Sequence, residues 1–163
     1  MNTQTVQMLY DYSYWAHRKV WGCVEQLTEA QFREDTGYSF GSVYSQVVHT
    51  MSAEWIWFSP LQGTSPTAVF RDEDYPTRAD VRAKWDDIES NVRACGASLS
   101  EDDLHSDFSY TTTSGKEYQN NRLHILLHVV NHGTDHRAQT LAILDRIGGP
   151  TLEQDLIFYL REQ

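Results

Sequence analysis

The stretch Asn121-Arg-Leu-His-Ile-Leu-Leu-His-Val-Val-Asn-His-Gly-Thr-Asp-His-Arg-Ala-Gln-Thr-Leu-Ala-Ile-Leu-Asp-Arg-Ile147, closed by Gly148-Gly149-Pro150, decides the fold. Steps of three and four run along one largely apolar line, Ile125, Val129, His132, His136, Gln139, Ile143 and Ile147. A second line, nearly opposite, holds Leu123, Leu127, Val130, Leu141 and Leu144. That is the period of an α-helix, and two apolar seams predict burial on two sides, at the centre of the domain or at a subunit contact. Gly-Gly-Pro stops the helix, because glycine accepts the left-handed cap conformation and proline cannot continue the ladder.

Working outward, Thr77-Arg-Ala-Asp80 after Pro76 reads as a capping box opening a helix to about Leu99. Ser42 caps another that runs to about Leu61, before Gly63 and Pro66. Val6, Leu9, Ser13, Ala16, Val20, Cys23 and Leu27 form the seam of a first long helix, and Thr28-Glu-Ala-Gln31 opens a short turn after it. Between Ser106 and Asn120 the helical period fails, and Phe108 to Tyr118 read as a small hairpin turning at Ser114-Gly115, an ornament on the helices. A short amphipathic piece, Asp155 to Leu160, is expected to pack back on the body. Four long helices and no strand-helix alternation predict an all-α fold, a four-helix bundle with a small β-hairpin before the last long helix, in one domain over residues 1–163.

Composition limits the partners. The 163 residues are 40% hydrophobic and 22% charged, a globular balance. Thirteen Lys+Arg against 23 Asp+Glu leave a net charge of −10, which repels a phosphate backbone and offers no basic stripe, so nucleic acid and an anionic membrane are excluded as partners. Met1-Asn2-Thr3-Gln4-Thr5 lacks the basic start and apolar run of a signal peptide, and no stretch approaches the roughly 18 apolar residues of a span. Cys23 and Cys95 are far apart with no CxxC spacing. A soluble, cytoplasmic protein with reduced thiols is expected.

The candidate chemistry is histidine chemistry. Of seven histidines, His124, His128, His132 and His136 recur every four residues on the long helix. Each step advances about 400°, so neighbours stand on adjacent turns about 40° apart, and any consecutive pair can share a metal ion. His132 and His136 fall where the first seam calls for core residues, whereas His124 and His128 lie at its edge. On the Ser42 helix, His49 has small neighbours one turn away, Ser45, Ser52 and Ala53, and Gly133 adjoins His132, both leaving room for an ion. Helix axes about 8–10 Å apart let one ring from that helix and two from the last converge at Zn–N distances of about 2.1 Å. Three neutral imidazoles leave a divalent ion with open positions and the power to lower the pKa of a bound water or thiol. The same spacing also serves an exposed or hydrogen-bonded histidine pair. His17 and His105 read as surface or loop residues, and the five tryptophans as core and interface aromatics.

Other chemistries lack their residues. None of the three His-x-x-x-His pairs carries the Glu of HExxH, no Glu-x-x-His pairs suggest a di-iron bundle, and no P-loop, GxGxxG or GxSxG occurs.

The segment Leu127-His-Val-Val-Asn-His-Gly-Thr-Asp-His-Arg-Ala-Gln139, with Ser42-Val-Tyr-Ser-Gln-Val-Val-His49 and Tyr14-Trp-Ala upstream, resembles the DinB-like family of metalloenzymes over nearly the whole chain, through the closing Asp155-Leu-Ile-Phe-Tyr-Leu160. The resemblance implies a four-helix bundle, usually a homodimer, with zinc, nickel or iron held by His49, His132 and His136. It also implies thiol-dependent transferase or isomerase chemistry on a small-molecule substrate, with a low-molecular-weight thiol such as bacillithiol, mycothiol or glutathione as cosubstrate. Many relatives carry a second histidine just before the last ligand; this chain has Asp135, about 100° around the helix from His136 and read as a solvated surface residue. A non-catalytic, stress-responsive metal-binding bundle is the alternative, and would close the ion with a fourth side chain.

Overall fold

The computed structural model describes residues 1–163, ordered as α1 (Thr3–Val24), α2 (Glu29–Arg33), α3 (Val43–Phe58), α4 (Arg78–Ser98), α5 (Glu101–Leu104), β1 (Asp107–Thr111), β2 (Glu117–Asn121), α6 (Arg122–Arg146) and α7 (Leu156–Arg161). Each long helix starts on a side chain that satisfies an otherwise orphaned amide: Asn2, Ser42, Thr77 and Asn121 cap α1, α3, α4 and α6. At Thr77 the box is reciprocal, Asp80 N donating to Thr77 Oγ1 at 3.1 Å and Thr77 N to Asp80 Oδ2 at 3.0 Å. Thr77→Ala is expected to lower stability by about 1 kcal/mol, read from the urea midpoint at unchanged slope.

Helix α6 packs against both α3 and α1, and α4 completes the ring by touching α3 and α1. The enclosed core includes Phe32, Met51, Leu126, Ile143 and Leu144, each essentially without exposure. The bundle and its hairpin agree with the fold read from the sequence. Helix α3 stops at Phe58 rather than near Leu61, because Pro60 has no amide to continue the ladder; a 3-10 turn, Ser59–Gln62, carries the chain to Gly63 at φ +83°. Helix α6 ends as its sequence prescribes, with Gly148 at φ +70° and Gly149 N donating to Leu144 O at 2.8 Å.

The hairpin pairs antiparallel from Asp107 opposite Asn121 to Thr111 opposite Glu117. It is not an ornament. Thr111 N donates to Ser65 Oγ at 3.2 Å, anchoring the strand to the loop after α3, and Tyr110 packs edge-on against Trp57 at 6.0 Å.

The first helix also differs from its expected seam. Tyr10, Tyr14, His17, Trp21 and Val24 form a buried stripe alongside Ala16, Val20 and Cys23. His17 is therefore an interior residue and not a surface one: its ring lies 3.6 Å from that of Trp85, and Arg82 Nη1 stands 2.8 Å from its Nε2.

Candidate metal centre

His49 stands on α3, His132 and His136 on α6, and the packing of these two helices brings the three rings together. One ring nitrogen from each lies within 4.8 Å of the other two. The ring centroids are 4.1 Å apart for His132 and His136, 4.7 Å for His49 and His136, and 5.6 Å for His49 and His132. Nitrogens sharing an ion at about 2.1 Å and tetrahedral angles stand about 3.4 Å apart, so the group lies near the spacing at which three ring nitrogens could hold one cation. The remaining histidines stay out. His124 and His128 are exposed, His128 packing on Trp57 at 4.5 Å, and His105 is exposed at the start of the hairpin.

The electrostatics suit ligands. Burial, followed by the charge of neighbouring imidazoles, pushes His49 and His132 down from 6.5 to about 4. His136 is lowered by burial, with Asp135 pulling the other way. All three rings are thus neutral near pH 7 and offer free lone pairs. Phe40 stacks on His49 at 3.8 Å and covers that ring from outside.

A chain of polar side chains holds His136. Its Nδ1 lies 2.7 Å from the amide of Gln46, which is fully buried on α3. The same amide reaches Ser39 Oγ at 2.8 Å, Ser39 bonds onward to Gln139 Oε1, and Gln139 Nε2 donates to Asp135 Oδ2 at 3.0 Å. Ser39 has one hydroxyl proton and cannot give it to two carbonyl oxygens. The amide ends are alike in shape, and the chain becomes consistent when Gln46 Oε1 faces His136 and Gln46 Nε2 donates to Ser39. His136 then carries its proton on Nδ1, and Nε2 is its free donor atom. Asp135 is exposed, as read from the sequence, but it also anchors the far end of this chain.

Gly133 serves another purpose than room for an ion. A Cβ there would stand 3.1 Å from Arg137 Nη1 and 3.5 Å from Ser13 Oγ. The missing side chain lets the buried Arg137 guanidinium cross from α6 to α1, where it donates to Ser13 Oγ at 2.9 Å, and to Gln154 Oε1 of the C-terminal segment at 2.8 Å. Ser52, similarly, accepts from Phe70 N at 2.9 Å and pins the loop after α3.

Glu54 escaped the sequence reading, although it is the one charged residue in the apolar run of α3. Its carboxylate accepts from Tyr14 Oη and from Trp85 Nε1 at 2.8 Å, and burial raises its pKa. It lines a small pocket beside His132 together with His17 and Arg137.

His17 sets a pH dependence. Burial, then Arg82, holds its pKa well below the ordinary 6.5. As pH falls through about 6.5, the unfolded chain takes up a proton that the folded chain refuses, so stability drops; above 6.5 neither form binds it and the effect vanishes. Metal-free protein is expected to lose stability between about pH 7 and about pH 5.5, and His17→Phe to shallow that slope by up to about 1.4 kcal/mol per pH unit. Glu54 acts with opposite sign, so urea denaturation of parent and variant is compared at each pH. Identical slopes would absolve His17.

No curated protein matches the chain at a significant level. Residues 1–163 match the family model of the DinB family, and the chain belongs to that family.

Proposed function

We propose that this DinB-family protein is a metal-dependent enzyme in which His49, His132 and His136 bind a divalent zinc, nickel or iron ion that activates a thiolate or water for transfer to a small electrophile. The observation that carries the reading is the three-histidine group with a cleft of about 300 Å³ that has His49 and His132 in its lining. A divalent ion on three neutral imidazoles keeps positive charge and open positions, and supplies Lewis acidity that lowers the pKa of a bound thiol or water. The protein's own part is to keep the three rings neutral by burial, to fix the His136 tautomer through Gln46, and to shield His49 beneath Phe40. No protein base is needed if a low-molecular-weight thiol is the cosubstrate, because a bound ion would lower the thiol pKa enough for solvent water to take the proton. The accessible cleft and the absence of a fourth Cys, Asp, Glu or His in the group favour this reading over a closed, non-catalytic metal site.

The reading extends to one functional unit over residues 1–163, working as a cytoplasmic homodimer. No helix is long and apolar enough to cross a membrane. Untagged protein is to be analysed for bound metal and then assayed for thiol conjugation to model electrophiles, with and without zinc, nickel or iron. Metal-dependent turnover supports the enzyme; a stoichiometric ion with no turnover across a broad thiol and electrophile panel supports the non-catalytic alternative. Light scattering reports the dimer.

A further inference from the structure

The cleft that reaches His49 and His132 has walls from three separate pieces of chain. Trp57 follows His49 along α3, Pro66 and Val69 come from the loop after it, and Tyr110, Thr111 and Thr113 come from β1 and its turn. Apart from His49 and His132, the lining holds no group that could carry a charge near pH 7: it contains no Lys, Arg, Asp or Glu. Trp57, Pro66, Val69 and Tyr110 offer apolar surface, while the threonine hydroxyls both donate and accept. We propose that this cleft takes an uncharged substrate body, an aromatic or aliphatic group bearing hydroxyl or carbonyl oxygens, whose only anionic end is the one that meets the triad.

The inference rests on the metal-dependent reading above and adds the class of molecule. A carboxylate on the body would give up its water with no guanidinium or ammonium in return, and an unpaired charge is far more costly to desolvate than an unpaired hydroxyl. The net charge of −10 also opposes the approach of a polyanion. The hairpin, tied to the loop through Thr111 and Ser65, thus becomes the wall that selects the substrate.

Two probes with the same metal-seeking head separate the possibilities: benzohydroxamic acid and its para-carboxy derivative, titrated calorimetrically into zinc-loaded protein. The uncharged probe is expected to bind at least about tenfold more tightly. Val69→Arg, at a rim position already 58% exposed, is expected to shrink or reverse that preference without changing zinc content. Equal affinities in the parent, or a preference for the carboxylated probe, would overturn the neutral cleft and leave the metal reading standing. So would a Val69→Arg protein with the parent's preference. Zinc-loaded protein that binds neither probe also overturns it, since the ion would then be unreachable from the cleft. Protein that takes up no zinc removes the metal reading and this inference together.

Discussion

His132→Ala is expected to abolish stoichiometric metal binding while leaving the bundle folded. Its ring lies between the other two candidate ligands in sequence and packs 4.1 Å from His136, so its loss leaves one imidazole on each helix and no third donor. The loss should exceed the roughly 10–100-fold that removal of a supporting hydrogen-bond partner costs a metal site. The fold should survive, because His132 is only half-buried and alanine is the better helix former by a few tenths of a kcal/mol, about 0.7 at most. Two measurements check this. Elemental analysis of untagged, dialysed protein should fall from a stoichiometric ion to background. The melting temperature of the parent should rise with added metal, by the equivalent of about 2.7 kcal/mol at a hundredfold excess over Kd, while that of the variant stays flat. A variant that retains a full complement of ion would show that the three rings are not its ligands.

Gln46→Leu carries the second largest expectation, a 10–100-fold weaker affinity for the same metal with an intact fold. Leucine fills much of the same buried volume but accepts nothing from Nδ1–H of His136, so the ring loses the bond that fixes its tautomer and orientation. Gln46→Glu keeps an acceptor at that place and should retain most of the affinity, which a mere packing role would not predict. Competition against a chromogenic chelator measures all three proteins. If the leucine variant binds as the parent does, Gln46 only fills space.

What the sequence disclosed follows from the range of the interactions involved. The capping boxes at Thr28 and Thr77 and the Gly148-Gly149-Pro150 stop are local, and each element they bound appears where its residues direct. The histidine spacing is likewise local to α6, and the small neighbours of His49 singled out its partner on α3. The support of the site is not local. Gln46 and His136 are 90 residues apart in the chain, Ser39 and Gln139 are 100 apart, and neither pair has a short-range signature. The burial of His17 is not legible locally because α1 supports two stripes at once, and the aromatic one, Tyr10, Tyr14, His17 and Trp21, is as regular as the aliphatic one. The hairpin's part in the cleft depends on which loop it faces, a matter of tertiary docking alone.

Arg137 ties the C-terminal segment to the bundle. Its guanidinium is buried with no carboxylate in direct contact, and one of its partners is Gln154, beyond the last long helix. Without Gln154 the Nε–H of that cation loses its protein acceptor, while its Nη atoms keep Ser13 and Thr134. The closing segment is thus fastened to the bundle by a polar tie as well as by the packing of Tyr159 on Tyr12, and losing Gln154 is expected to loosen that fastening.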